Sequence, residues 1–405
     1  MNLRKRRRDA VVVITVISLA IIAAACSKGT ATTATTATST TLVRVGPVGG
    51  WTAKQLPNPA GANNAFLAGV SCPSSSSCLA VGAYGKGNGE FFSLVEHWNG
   101  SAWSVEPEAG ARSPIASRLL GISCPSSGAC FAVGEAVKNS SNERVLVERF
   151  NGSAWTYVTV PLPKHISSGS LTAISCSSPS ACTAIGTYRV PTNGQSEPLV
   201  ERWNGINWAL EAAPAPRAHV TSITFLQVSC SSVTACSAVG QSTTAKGASA
   251  YAAQWNGQVW VDEQLPALPD RNFSRLSGVW CVSGSDCTAV GDAANAAGND
   301  VSLAERWDGS SWTVESTLSL PDRQLLLSSV YCPTPGACTA VGRQTIALYG
   351  SSGWRVQPMP VTTTATVSDL SGPSALACLP SGECTAVGVT ISQAGLATML
   401  VVTKP

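Results

Sequence analysis

The chain is poor in the residues on which most enzymes and metalloproteins depend. It holds three histidines in 405 residues. His97, His165 and His219 lie far apart, with no nucleophile motif beside any of them. That leaves little material for a metal centre or for histidine-based acid–base chemistry, and neither a metal nor a cofactor is expected. There is no Gly-rich phosphate loop, no zincin helix and no Ser/His/Asp set. Charge is scarce as well: 12% of residues are charged, and the formal net charge of +3 falls close to zero without the basic N-terminal segment. A nucleic-acid binder carries a basic face or stripe, so the composition argues against that class. The apolar run from Ala10 to Ala25, interrupted by Thr15 and Ser18, is short of the roughly 18 residues of a membrane span.

What is present begins with that run. Arg4 to Arg8 form a basic segment, the apolar run follows, and Ala23-Ala24-Ala25-Cys26 closes it. This order describes a secretory signal peptide over residues 1–25. A cysteine directly after small residues resembles the lipobox of bacterial lipoproteins. The resemblance implies that Cys26 is lipidated, becomes the mature N-terminus and holds the protein at the outer leaflet of the cell membrane. Ala23 departs from that pattern, in which leucine is commonest. Ordinary signal peptidase acting on the same Ala-x-Ala is the alternative; it would secrete the chain and leave Cys26 a free thiol. Arg7-Arg8 is a weak match to the twin-arginine route. Residues 26–50 are rich in Thr and Ala and lack apolar periodicity, which predicts a disordered tether. Fully extended, it would reach roughly 80 Å.

Fifteen cysteines make seven C-x5-C pairs and leave Cys26 over. The pairs are Cys72 with Cys78, Cys124 with Cys130, Cys176 with Cys182, Cys230 with Cys236, Cys281 with Cys287, Cys332 with Cys338 and Cys378 with Cys384, recurring every 46 to 54 residues. A period of that size marks a repeat architecture, and paired cysteines at this density point to an oxidising compartment. Zinc binding, the other use of paired cysteines, is disfavoured by the exported context and by the lack of nearby histidines.

Each unit reads as four short strands. In the second, Leu119–Ser123 leads into Cys124, a Ser/Gly/Pro turn follows, and Cys130–Gly134 forms the return strand. Val145–Phe150 is the third strand, Asn151-Gly152 a hairpin turn, and Trp155–Val158 the fourth. Ala-Val/Ile-Gly closes the second strand in all seven units, and paired aromatics such as Trp203 and Trp208 flank the Asn-Gly turn. Each cysteine pair spans the first hairpin, so one disulfide would staple strands one and two of each unit.

Units of this kind predict an all-β, seven-bladed β-propeller of four-stranded blades over residues 51–405. The last unit stops after its third strand, and Trp51–Pro57 resembles the missing fourth, so the N-terminal strand would close the ring. A solenoid is the alternative, but it needs polar capping repeats and none is visible. The pattern resembles secreted bacterial propeller repeats of the SC-x5-C-x-AVG…ERWNG-x-x-W type. The hairpin is distantly similar to the Asp-box turn of sialidase-like propellers, without the Asp-x-Gly spacing. Neither resemblance implies an activity.

Residues that recur in every unit are expected to hold the blades together, and those that differ are better functional candidates. Alternating strands put the connections between blades on one face. The candidates there are Arg118, Lys164, His165, Arg217, His219, Arg271, Arg275 and Arg323, a basic rim that would favour an anionic ligand. Trp280 and Tyr331 replace the serine that precedes the first cysteine in units one to four. They would either stack on a sugar or fill a packing gap. Glu96, Glu148, Glu201 and Glu305 recur on strand three, as cation ligands or as a repeated ion pair or hydrogen bond to the next blade. The favoured reading is an extracytoplasmic, membrane-anchored monomer that binds or scaffolds an envelope protein or polysaccharide. The alternatives are a propeller glycoside hydrolase or lyase acting on anionic glycans, which needs arginines and a carboxylate pair together, and a passive structural lipoprotein.

Overall fold

The computed structural model describes residues 49–405 except 88, 107–115, 138–142, 165, 167, 191–194, 215–216, 218, 269–272, 295–298, 319–325 and 361–370. The expected signal peptide, Cys26 and nearly all of the expected tether lie outside the described residues, as do His165, Arg271 and Arg323. The described residues form seven four-stranded antiparallel sheets. Six run in simple up-and-down order; blade three, for example, is Ser168–Ser178, Ala181–Arg189, Ser196–Trp203 and Trp208–Glu211. In the seventh, the strand Thr52–Gln55 pairs with Ala397–Lys404, with Thr52 opposite Thr403 and Gln55 opposite Leu400. The N-terminal strand therefore closes the ring and covers an edge that would otherwise be open to pairing.

The first strands of successive sheets pack on one another from blade one through blade seven and back to blade one. The core lies between the blades. Each of seven apolar clusters joins two neighbouring sheets, as where Val133 and Val147 of blade two meet Leu199, Trp203 and Trp208 of blade three. A single four-stranded sheet could not bury both faces, so the stability of each blade depends on its neighbours.

All seven C-x5-C pairs form disulfides. In four blades the two cysteines stand directly opposite each other in register: Cys176 and Cys182, Cys230 and Cys236, Cys281 and Cys287, and Cys378 and Cys384. Blades one, two and six differ from the simple expectation of a ladder pair. There the register shifts across the cysteines, between Ser71 and Ser74, Ser123 and Ser126, and Tyr331 and Thr334. The bonds of Cys72 with Cys78, Cys124 with Cys130 and Cys332 with Cys338 form all the same, with Cα atoms 4.0–4.1 Å apart. Cys78 and Cys338 are both buried, at the start of their second strands. In every blade, strands one and two are thus stapled next to their turn.

The Ala-Val-Gly motif owes its glycine to the backbone. The first strand bulges opposite it, for instance between Leu171 and Ala173. A Cβ on Gly186 would lie 2.0 Å from the carbonyl oxygen of Ser170, and the corresponding glycine of every other blade meets a carbonyl oxygen at 1.8–2.2 Å. Only a residue without a side chain fits there.

Candidate functional site

Adjacent antiparallel strands alternate in direction, so the C-x5-C turn and the Asn-Gly turn of a blade share a face. The contacts agree. The Trp98 indole donates to the Ser75 carbonyl (3.0 Å) and Trp203 to that of Pro179 (3.2 Å). The Asn-Gly turns are built alike, with the backbone amides of Ser101 and Ala102 donating to Asn99 Oδ1 at 3.0 Å. At Asp308 the Ser310 hydroxyl, together with the same backbone donors, holds the carboxyl down at about 2. This disulfide face repeats from blade to blade. The opposite face carries the connections, and those differ.

The third-strand Glu-Arg-Trp run is also structural. Arg202 reaches forward, its guanidinium 4.2 Å above the Trp255 ring and donating to the Val233 carbonyl of blade four. Arg149 lies 5.4 Å from the ring of Trp203 in the same way. The glutamates point backward, into the interface with the preceding blade, and all four are buried. The expected ion pair or hydrogen bond to the next blade is not what Glu201 and Glu305 make. Each is fully buried, and neither oxygen of either has a hydrogen-bond partner among the described residues. Burial raises the Glu96 carboxyl to about 7 and that of Glu305 to about 8; burial and then the charge of Glu211 raise Glu201 to about 8. Desolvation favours the neutral acid.

Three of the candidate arginines are described, and each is tied to a carboxylate. Arg118 stands in the first strand of blade two, in register with Glu135 and 3.7 Å from it, above the Phe91 ring. Arg275 holds the corresponding place in blade five, 2.7 Å from its register partner Asp292. Burial outweighs Arg275 and raises the Asp292 carboxyl. These two arginines sit on strands, not in the connections as expected. Arg217, in the connection before blade four, pairs with Asp262. Lys164 and His219 are exposed, and His219 has a positive φ of 74°. The rim is therefore neutralised at the three described arginines, which removes much of the case for an anionic ligand. The sequence hid this because strand register brings Glu135 and Asp292 beside Arg118 and Arg275, and the fold brings Asp262 beside Arg217 from 45 residues away.

Trp280 and Tyr331 meet, with ring centroids 4.5 Å apart. Tyr331 is buried among Leu376, Cys378 and Trp51, with Trp280 packed against the same cluster. In the first four blades the serine at this position accepts the amide of the next blade's first cysteine: Cys124 to Ser71, Cys176 to Ser123, Cys230 to Ser175 and Cys281 to Ser229, at 2.9–3.0 Å. Blades five and six replace that hydrogen bond with an aromatic stack. The geometry favours the packing role.

The feature that breaks the repeat is a cavity of about 330 Å³ on blade four, reaching blade five. Its mouth includes the exposed Arg217, Ser249, Gln264 and Ala267, and the fully buried Glu305 lies in its wall. Tyr251, Asp262 and Arg217 form one cluster at its side, in which burial raises the Asp262 carboxyl against the opposing pull of Arg217. Glu263 is raised by burial and then by Asp262. No signal in the sequence pointed to this cavity. Tyr251 stands where Leu94, Leu146, Leu199 and Leu303 stand in other blades, and that departure was readable only after alignment by register.

No protein-family model matches the sequence, and no curated protein matches it. The fold is found among solved structures. A structure of YCF48 bound to a D1 peptide has 14% identity and a TM-score of 0.54, covering 89% of this chain and 99% of that one. A GH74 xyloglucanase from Xanthomonas campestris has 13% identity and a TM-score of 0.50, covering 86% of this chain and 55% of that one. A Hadza microbial sialidase has 10% identity and a TM-score of 0.49, covering 85% and 66%. At these identities the likeness is one of fold.

Proposed function

We propose that the chain is an extracytoplasmic binding or scaffold module of the cell envelope, anchored by lipid at Cys26 and carried on the Thr/Ala-rich tether. The observation that carries this reading is the division between the two faces. Disulfides, Asx turns and Trp pairs repeat on one side, while the other side holds non-repeating connections and the cavity on blade four. A propeller that served only as a spacer would have no use for that asymmetry. Seven disulfides call for an oxidising environment, and no helix among the described residues is long and apolar enough to cross a membrane. The partner is an envelope protein or glycan. The YCF48 structure, with its bound peptide, illustrates the first kind of use for this fold.

The hydrolase reading is weaker, because Arg118, Arg217 and Arg275 stand on different blades or connections and each is already paired with a carboxylate. The test is a cross-linking pull-down with the full chain, disulfides intact, on native envelope, analysed for peptides and glycans. One dominant partner lost on substitution of connection residues supports the proposal. Capture of nothing above background leaves the passive lipoprotein as the better account.

A further inference from the structure

The interface between blades four and five differs from its counterparts in a way that concerns Glu305. Opposite Glu201, blade two presents Val145 and Val147. Opposite Glu305, the same two positions of blade four are Ala250 and Ala252. Four methyl groups are missing. The cavity lies there, with Ala250 in its lining and Leu265 and Leu268 of the connection above it.

A buried carboxyl group with neither oxygen hydrogen-bonded among the described residues is costly to ionise. Glu201 shares that state against packed valines, whereas Glu305 stands in the wall of a cavity that a ligand can fill. The lining says what that occupant would be. Its acids are Asp262, Glu263 and Glu305, and its one cation among the described residues is Arg217, already held by Asp262. Glu305 is left without a positive partner in the lining, and Glu263 shares Arg217 with Asp262, so the three acids outnumber the one cation. The remaining polar side chains are Tyr251, Gln264 and the serines 242, 249 and 274; Ser274 Oγ already accepts the Ala250 amide at 2.9 Å, and the Ser242 hydroxyl donates to the Ser249 carbonyl at 3.4 Å. A volume of about 330 Å³ is at the small end of ligand sites, roughly 300–1,000 Å³, and suits a ligand of one ring.

We propose that this cavity binds a small ligand carrying a protonated amine, with the ammonium seated between Glu305 and Glu263 and the body against Leu265 and Leu268. The proposal does not depend on which partner the connection face takes. Binding is non-covalent. An ammonium beside Glu305 favours the ionised carboxylate, so the proton that Glu305 carries when the cavity is free is released to solvent as the ligand enters.

The test is isothermal titration calorimetry of the full chain at neutral pH with glucosamine and with 1,4-diaminobutane, and with glucose as the neutral control. Each titration is repeated in two buffers of different protonation enthalpy. The expected result is binding of at least one of the amines, glucose weaker by tenfold or more, and release of up to one proton per ligand. Glu305→Gln should weaken binding about thirtyfold or more, the loss expected when one partner of a buried charge pair is removed, and should abolish the proton release. Ala250→Leu, which fills the cavity from the opposite wall, should abolish binding while circular dichroism and the thermal midpoint show a folded ring. The proposal is overturned if neither amine binds, if glucose binds as tightly as they do, or if both variants bind like the wild type. A pull-down that captures an envelope partner alongside a failed titration would remove the cavity site and leave the envelope role standing.

Discussion

The buried glutamates predict an unusual pH dependence of stability, and Glu305→Gln is the perturbation that isolates it. Burial lifts this carboxyl from 4.5 to about 8 in the folded chain. Between those values the native state keeps a proton that the unfolded chain has given up. Stability must therefore fall as pH rises across that window, and level off above it. One pKa unit corresponds to about 1.4 kcal/mol, so the full shift would be worth nearly 5 kcal/mol. Local relaxation raises the effective dielectric, which brings the expectation to about 2 kcal/mol. Glutamine keeps the shape and cannot ionise. The variant should lose about 2 kcal/mol less stability than the wild type between pH 5 and pH 8.5. Guanidinium unfolding followed by tryptophan fluorescence, disulfides intact and no amine present, measures this at each pH. Glu201→Gln should flatten the curve in the same direction, because burial and the charge of Glu211 raise that carboxyl to about 8 as well. Parallel curves for wild type and Glu305→Gln would show that Glu305 is ionised in the folded state, and the account of its environment would be wrong.

Three further outcomes follow from the fold. Trp51→Ala removes a fully buried indole from the closing strand and should cost about 3–5 kcal/mol; an unchanged denaturation midpoint would mean that the N-terminal strand does not close the ring. Gly186→Ala forces a Cβ to within 2.0 Å of the Ser170 carbonyl oxygen, so the backbone must shift, at a cost of about 2 kcal/mol or more; thermal melting compares it with an alanine at Gly395, whose Cβ would meet no atom within 4 Å although its φ of +79° adds some strain of its own. Ser123→Ala removes the acceptor of the Cys176 amide, 3.0 Å away, and should cost about 1–2 kcal/mol, read as faster hydrogen exchange at Cys176 with Cys124 little affected.

Much of the fold was legible because its determinants are local. Only five residues lie between the cysteines of each pair, so the partner of Cys176 could only sensibly be Cys182 across a hairpin. The same spacing holds for Cys78 and Cys338, whose bonds form even where the ladder register slips beside them. The Asn-Gly turns and the alternating strands repeat within one unit, and Trp51–Pro57 carries the pattern of a fourth strand, the place that Thr52–Gln55 takes beside Ala397–Lys404. The roles of side chains at the blade interfaces were not legible. The Glu-Arg-Trp run reads as an ion-paired motif, yet Arg202 stacks forward on Trp255 and Glu201 faces backward without a partner. The rim arginines read as free charge because Glu135 and Asp292 lie 17 residues from Arg118 and Arg275 and are brought beside them only by strand register.

The sequence by itself determined the blades, their number, their disulfides and the closure of the ring, since each depends on contacts within about 50 residues or on a period that recurs seven times. The tertiary structure decided where this protein departs from its own repeat. Whether a buried carboxyl meets two valines or two alanines depends on which faces of two separate sheets are pressed together. A pattern within one strand carries no information about the methyl groups on the strand it will face, and at blade four that difference is the one between a packed interface and a cavity.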